Sequence, residues 1–589
     1  MPHLPYLKPR AQTRLTTERF LGLDRRESPP DGAWARCENL SLRSFPALAP
    51  RAPRGTVAKL SHPGGLCAKD ALCWVENGTL YVGGAPTPVT GLAERERQLV
   101  SMGAYLILWP DRMYYNTADP TDYGSLDADW RYSGTVHCSL CRADGSAYDS
   151  APTVSSSEPE GAENLALWID SSGEKPTLKQ YSASLSVWVV VEQVFTKLRF
   201  TTQGQIPALF SALDGVTVSG APLAGLNGEK LLYALGGAAG KEADYIVLEG
   251  LCQTERSYEN CSLHLRRRAP EMDFLCECGN RLWGCFYGND GAQNLNEIYA
   301  CALGDFKNWR QYLGLSTDSW TASVGSDGPW TGAVSYLGSP VFFKADRLHR
   351  VSISSAGAHR LTETVCRGVQ KGSHKSLAVV GETLYYKSPS DVCAWQGGFP
   401  ESVSAALGES RLDSAVGGAQ GAYYYLSARG GDGKWELLVY DTARALWLRE
   451  DSLHVLAFAG DGDELYALDA GSGAVLSLTG RSGTAGEAVN WWAESPPLHY
   501  ATPDHKYPGR MDLRLRLGPG ARLRVLLSYD GAEDWQLAGT AEAPAEGAPR
   551  VLRLPVRPRR CDSYRLRLEG TGDSRLLAWT RVLETGSDL

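Results

Sequence analysis

At 589 residues the chain is too long for one hydrophobic core and calls for several domains. Its 63 glycines, 17 tryptophans and 27 tyrosines against 5 methionines suit many turns between half-buried aromatic strands and argue against helix bundles. With 67 acidic against 59 basic residues, it lacks the basic excess that a general nucleic-acid-binding surface needs to release counterions.

The opening Met1-Pro2-His3-Leu4-Pro5-Tyr6-Leu7-Lys8-Pro9-Arg10 has no apolar core of signal-peptide length, so secretion by the usual route is not expected. No run of roughly 18 apolar residues occurs, so no membrane span is expected. Residues 1–54 read as an irregular arm, because proline and glycine interrupt every candidate element. Residues 55–129 read as the first propeller blades. Here Leu72-Cys73-Trp74-Val75 and Thr79-Leu80-Tyr81-Val82 flank Asn77-Gly78, a tight two-residue turn. Tyr105 to Trp109 and Met113 to Tyr115 form the next such pair.

Between 130 and 270 the hairpin pattern stops, which predicts an inserted, mainly-β domain growing from a blade loop. It holds an apolar run, Leu185 to Val191, and one short helix signal, Ile206 to Leu213. Residues 271–494 carry the remaining blades. Phe343, Tyr386, Tyr425 and Tyr466 occupy equivalent points, with steps of 43, 39 and 41 residues. That period is the length of a four-stranded propeller blade. From 495 to 589 the alternation of Leu513-Arg514-Leu515-Arg516-Leu517, and of similar segments, predicts a C-terminal β-sandwich. The fold class expected is all-β: a β-propeller with an inserted mainly-β domain and a C-terminal β-sandwich.

Fourteen cysteines are too sparse for a disulfide scaffold in a chain this long. Cys138 and Cys141 have the spacing of half a zinc site without the second half, and Cys276 and Cys278 share one strand face; buried thiols are the expectation for both pairs. Two segments approximate the Asp-box turn of many propellers. Ser326-Asp327-Gly328-Pro329-Trp330 is too short, and Ser528-Tyr529-Asp530-Gly531-Ala532-Glu533-Asp534-Trp535 has its glycine one place early. Such turns are structural, with the aspartate accepting backbone amides. No catalytic set stands out, and no cofactor is expected. Arg266-Arg267-Arg268 reads as a solvated strand end. Arg514, Arg516, Arg522 and Arg524, with Arg565 and Arg567 nearby, admit two readings: a docking face for an acidic partner, or the wet side of an amphipathic sheet, which is favoured.

The opening phrases (Phe20-Leu21-Gly22-Leu23-Asp24, Cys37-Glu38-Asn39-Leu40 and Phe45 to Arg51) resemble the start of structural proteins of tailed bacteriophages and prophages of Gram-positive bacteria. In the middle of the chain, Asn280 to Cys285, Asn296-Glu297-Ile298-Tyr299-Ala300, Leu303 to Trp309 and Ser326 to Gly332 are similar to the propeller of short-tailed phage nozzle or hub proteins. The resemblance implies a tail component without catalytic residues, located in the virion after assembly in the host cytoplasm. It would form a homo-oligomeric ring, join other phage tail proteins and surround passing DNA without binding it specifically. The arm would dock on a neighbouring subunit. The alternatives are a receptor- or glycan-binding propeller and, behind it, a glycoside hydrolase or sialidase.

Overall fold

The structure is a computed structural model that describes residues 12–201, 206–236, 244–354, 357–409, 411–500 and 507–584. The opening ten residues read above lie outside the described residues.

The chain is all-β, with a propeller, an inserted domain and a C-terminal sandwich. Seven antiparallel sheets, at 63–86, 98–125, 274–323, 332–365, 378–402, 412–451 and 455–477, form the blades. Their first strands neighbour one another in turn, from Pro63–Lys69 round to Val455–Asp461, which returns to lie beside Pro63–Lys69. Between the fourth and fifth blades the contact runs through the short turn His374–Ser376. The four aromatic markers all fall on second strands: Ser339–Lys344, Thr383–Lys387, Tyr423–Gly430 and Glu464–Asp469. They recur because the second strand of each of these blades is mostly buried, with Phe343 and Tyr386 fully so. At the first blade's hairpin, Asn77 and Gly78 take φ of 48° and 72°, the left-handed pair that a tight two-residue turn requires.

The last blade is completed from the other end of the sequence. Strand Gly55–Lys59 pairs antiparallel with Ala474–Ser477, with Gly55 opposite Ser477 and Lys59 opposite Ala474. Residues 55–59 therefore belong to the last blade rather than the first. Ring closure by an early strand joins ends more than 400 residues apart and removes an open sheet edge.

The inserted domain rises from the long strands Ala128–Cys141 and Arg256–Arg267, which lie side by side in a seven-stranded sheet. Val136, Leu198, Phe200, Ile246, Leu263 and Leu265 fill its core. A four-stranded sheet at 153–190 completes it, and the helix signal is realised as one turn, Ile206–Leu209.

The sandwich brings a four-stranded sheet containing Tyr507–Leu517 against a five-stranded sheet containing Arg522–Tyr529 and Tyr564–Thr571. Leu513, Leu515, Leu523, Val525, Leu566 and Leu568 are the inward halves of the alternation. Strand Asn490–Glu494 pairs with Tyr564–Thr571, so the sandwich begins before residue 495.

The expectation of a free arm is corrected. Gln12–Thr17 adds an edge to the sandwich, Gly22–Leu23 and Ala33–Trp34 extend the sixth blade, and Arg36–Glu38 pairs with Asn490–Glu494. The physical reason is apolar content at spaced positions: Phe20, Leu23, Trp34 and Leu40 are buried in one core with Trp447 of the sixth blade and Trp579 of the sandwich. Trp34 and Trp579 stack at 6.4 Å. The described part of the segment thus staples two domains of its own chain.

Candidate functional site

A cleft of roughly 470 Å³ opens where the inserted domain meets the third blade. One wall is strand Asn294–Ala300, whose alternation sends Glu297 and Tyr299 into the cleft while Ile298 and Ala300 pack inward. Across the strand pair, Tyr299 faces Thr321 and Glu297 faces Ser323, whose hydroxyl donates to Glu297 Oε1 at 3.2 Å. The loop that follows supplies Trp309, buried, and Tyr312, exposed, whose hydroxyl lies 3.1 Å from Thr321 Oγ1. The opposite wall is the inserted sheet. Thr217 sits between Glu229 and Arg266 in the register of three adjacent strands, and Glu229 pairs with Arg310 of the blade loop.

The two walls meet closely at Gly215. A Cβ there would lie 2.5 Å from Arg310 Cβ and its carbonyl oxygen, so only glycine fits. Glu271, between the insert and the blade, is held by Arg112 at 2.9 Å and Arg268 at 2.7 Å.

Two protonation preferences follow. Burial, and then the negative charge of Glu297 on the same strand face, push Tyr299 far above an ordinary tyrosine, so it stays protonated and able to donate. Asp290, at the rim, is held below the usual carboxylate range by the amides of Gln293 and Ala292, each at 2.9 Å.

The Arg266-Arg267-Arg268 run divides as a strand must. Arg266 and Arg268 face the cleft, whereas Arg267 is buried and paired with Asp214. The solvated reading therefore fails for Arg267, because the alternation turns it inward. Asp214 is shifted up, since burial outweighs Arg267.

The other sequence candidates lie away from the cleft. Ser326-Asp327-Gly328 forms a turn between the third and fourth blades. Asp327 accepts from its neighbour Gly328 N at 2.8 Å and from Tyr287 OH at 2.5 Å. Trp330 is buried beneath, 5.0 Å from the His349 ring. The Ser326 carbonyl takes Asn296 Nδ2 at 2.7 Å and the buried Lys344 Nζ at 2.5 Å, which sews the two blades together. The second turn belongs to the sandwich. There Asp530, followed by Gly531, accepts the amides of Asp562 and Ser563 at 2.7 and 3.0 Å, so its carboxylate tethers a neighbouring loop. Ser528 donates to the Ala532 carbonyl, and Trp535 lies 5.1 Å from the Arg565 guanidinium.

The six sandwich arginines do not share a face. Arg514 and Arg516 stand on one sheet, and Arg522, Arg524, Arg565 and Arg567 on the other. Cys138, Cys141, Cys276 and Cys278 are buried. Burial pushes the thiols of Cys138 and Cys141 up to about 12, and those of Cys276 and Cys278 also up. The cleft itself was not singled out from sequence. Its signal was the i, i+2 placement of Glu297 and Tyr299 in a phrase read only for its resemblance.

No family model matches the chain, and no curated protein matches it. Among solved structures, it is similar to an exo-beta-1,3-galactanase from Phanerochaete chrysosporium with galactose, at 10% identity and a TM-score of 0.20 over 51% of this chain and 92% of that one. It is also similar to a glycoside hydrolase family 43 arabinoxylan arabinofuranohydrolase from Bacillus subtilis in complex with cellotetraose, at 9% identity and a TM-score of 0.17 over 71% and 95%. Both are named as glycan-processing enzymes. This overturns the expectation of a phage-tail structural subunit that is not an enzyme, and that reading is withdrawn. At such TM-scores the likeness carries no argument about reaction or substrate, which rest on the cleft alone.

Proposed function

We propose that this chain recognises a glycan in the cleft between the inserted domain and the third blade. The observation that carries the proposal is the convergence of Tyr299, Trp309 and Tyr312 with carboxylates from both walls in one cavity of roughly 470 Å³, within the range of roughly 300–1,000 Å³ usual for small-ligand sites. A sugar ring offers an apolar face and a rim of hydroxyls. Aromatic side chains cover the first. Acceptor-only carboxylates and donor-only guanidinium groups orient the second.

Glycoside hydrolysis in the same cleft is the second reading, favoured by Glu297 and Asp290. Asp290 is held as the anion, and Glu297 stands on the same strand face as the protonated Tyr299 and accepts from the Ser323 hydroxyl. Two carboxylates flanking a glycosidic bond are what acid-base cleavage requires.

Glycan-array screening followed by calorimetric titration tests the binding proposal. Wild-type protein is expected to bind at least one oligosaccharide, with Tyr312→Ala about tenfold weaker. Binding that is absent across the array, or indifferent to Tyr312→Ala and Glu297→Gln together, would remove this reading. Release of new reducing ends from the bound oligosaccharide decides between recognition and cleavage.

A further inference from the structure

We propose that the outer face of the four-stranded sandwich sheet is a second binding site, distinct from the cleft, for an anionic polysaccharide. A groove of roughly 570 Å³ crosses this face, lined by Arg14, Arg514 and Arg553 with the acids Glu18 and Asp512, over a floor that includes Ala578. In the strand register Arg514 lies directly opposite Arg553. Like charges placed so repel, and nothing in the fold requires the pairing. Arg553 and Arg510 divide one carboxylate, Asp512, at 2.5 and 3.0 Å. Arg14, Arg514 and Arg516 have no carboxylate partner among the described residues.

The other sandwich face shows what neutralised arginines look like in this protein. Arg524 meets Glu569 at 2.9 Å, Arg565 meets Glu494 at 3.0 Å and Arg567 meets Glu569 at 3.0 Å. Arginines without a carboxylate therefore gather on this face, in a chain whose net charge is −8. Opposed guanidinium groups with unused donors are a receptor for spaced carboxylates or sulfates, which each accepts in a bidentate fork.

The occupant is a polysaccharide rather than a nucleic acid or a protein. Among the described residues the groove has no aromatic platform on which bases stack, and no buried aromatic anchor of the kind that carries protein interfaces. Outward positions along one strand recur every ~6.7 Å, so Arg514 and Arg516 present cations at intervals suited to a charged repeating chain.

Affinity electrophoresis and calorimetry of the full chain test this against polygalacturonate, dextran sulfate, neutral dextran and a duplex DNA oligomer. The wild type is expected to bind one or both acidic polysaccharides, more weakly as salt rises, and to ignore dextran; which polymer binds tells carboxylate from sulfate recognition. Arg14→Ala/Arg514→Ala should bind about tenfold more weakly, with Arg514→Lys intermediate. Arg522→Ala/Arg524→Ala, on the paired face, should stay within about twofold. Tyr312→Ala in the cleft should leave this binding intact, so loss of either site is read separately. Retention by a folded Arg14→Ala/Arg514→Ala variant equal to wild type, equal binding of dextran, or tighter binding of DNA than of either polysaccharide would each overturn the proposal.

Discussion

The backbone amide of Gly215 donates to the Asn308 side-chain oxygen at 3.2 Å, joining the inserted domain to the third blade beside the cleft. The Asn308 amide nitrogen completes the clasp by donating to the Leu213 carbonyl at 2.7 Å. Asn308 is 1% exposed, so both bonds are shielded from water.

Asn308→Ala leaves those two backbone groups without partners and should destabilise the protein by about 2–3 kcal/mol. Gly215→Ala should do similar damage through the Arg310 clash. Thermal unfolding together with limited proteolysis at the junction reads this out. A loss under about 0.5 kcal/mol for Asn308→Ala would mean the clasp is replaceable by water.

Arg54 precedes the strand that closes the propeller and is 10% exposed at its side chain, with Glu450 at 2.8 Å and Asp451 at 2.7 Å. Arg54→Met leaves Glu450 and Asp451 with only the longer contacts to Arg51, at 4.0 and 3.5 Å, and should cost about 2–3 kcal/mol. Faster hydrogen exchange is expected first at Gly55–Lys59 and Ala474–Ser477, the seam itself. A lower urea midpoint with unchanged exchange at the seam would show that Arg54 supports the core generally and not closure.

The propeller was legible where local chemistry repeats. Asn77-Gly78 and the second-strand aromatics Phe343, Tyr386, Tyr425 and Tyr466 each mark a strand by turn preference or burial alone. Pairings made at long range were not legible. Gly55–Lys59 is a short strand of mixed exposure, and only its partner near residue 475 gives it a place. The arm misled for the same reason, because Phe20, Leu23 and Trp34 are too widely spaced for any period and acquire meaning from Trp447 and Trp579. Alternation did expose the wet side of the sandwich. It carries no information on which sheet a strand joins, so arginines on opposite faces read as one array. The cleft depends on two domains meeting, and no local pattern encodes that meeting.

Asp31 ties the N-terminal segment to the sandwich through Arg581, at 2.7 Å, and Thr17. Burial works against the Asp31 anion, but Arg581 and Thr17 outweigh it and hold the carboxyl below its usual range. An acid with a depressed folded value adds stability above its unfolded value of about 4, and that stability is lost as pH falls through the folded value. Asp31→Asn should therefore flatten part of the acid side of the stability profile. Its cost near neutrality should be about 1–2 kcal/mol, below that of a fully buried pair because Asp31 is 54% exposed at its side chain. Denaturant midpoints measured from about pH 2 to 7 check this, and a profile parallel to wild type would refute the assignment.

In the cleft, Tyr299, Glu297 and Tyr312 have separable roles. Tyr299 remains protonated well past neutrality, so its hydroxyl stays a donor beside the Glu297 carboxylate across the working pH range. Tyr299→Phe removes one donor and keeps the packing, and should weaken glycan binding by about threefold to tenfold with little change in melting temperature. Tyr312 stands exposed and contributes surface, so Tyr312→Ala should act on binding alone. If the bound oligosaccharide is cleaved, the variants diverge further. Glu297→Gln should lower kcat by at least about 100-fold with KM nearly unchanged, the mark of a group acting in proton transfer. Tyr312→Ala should raise KM with kcat retained, the mark of uniform binding. Equal effects of both substitutions on kcat and KM would assign Glu297 to sugar orientation rather than chemistry. Full activity in Glu297→Gln would place cleavage outside this cleft.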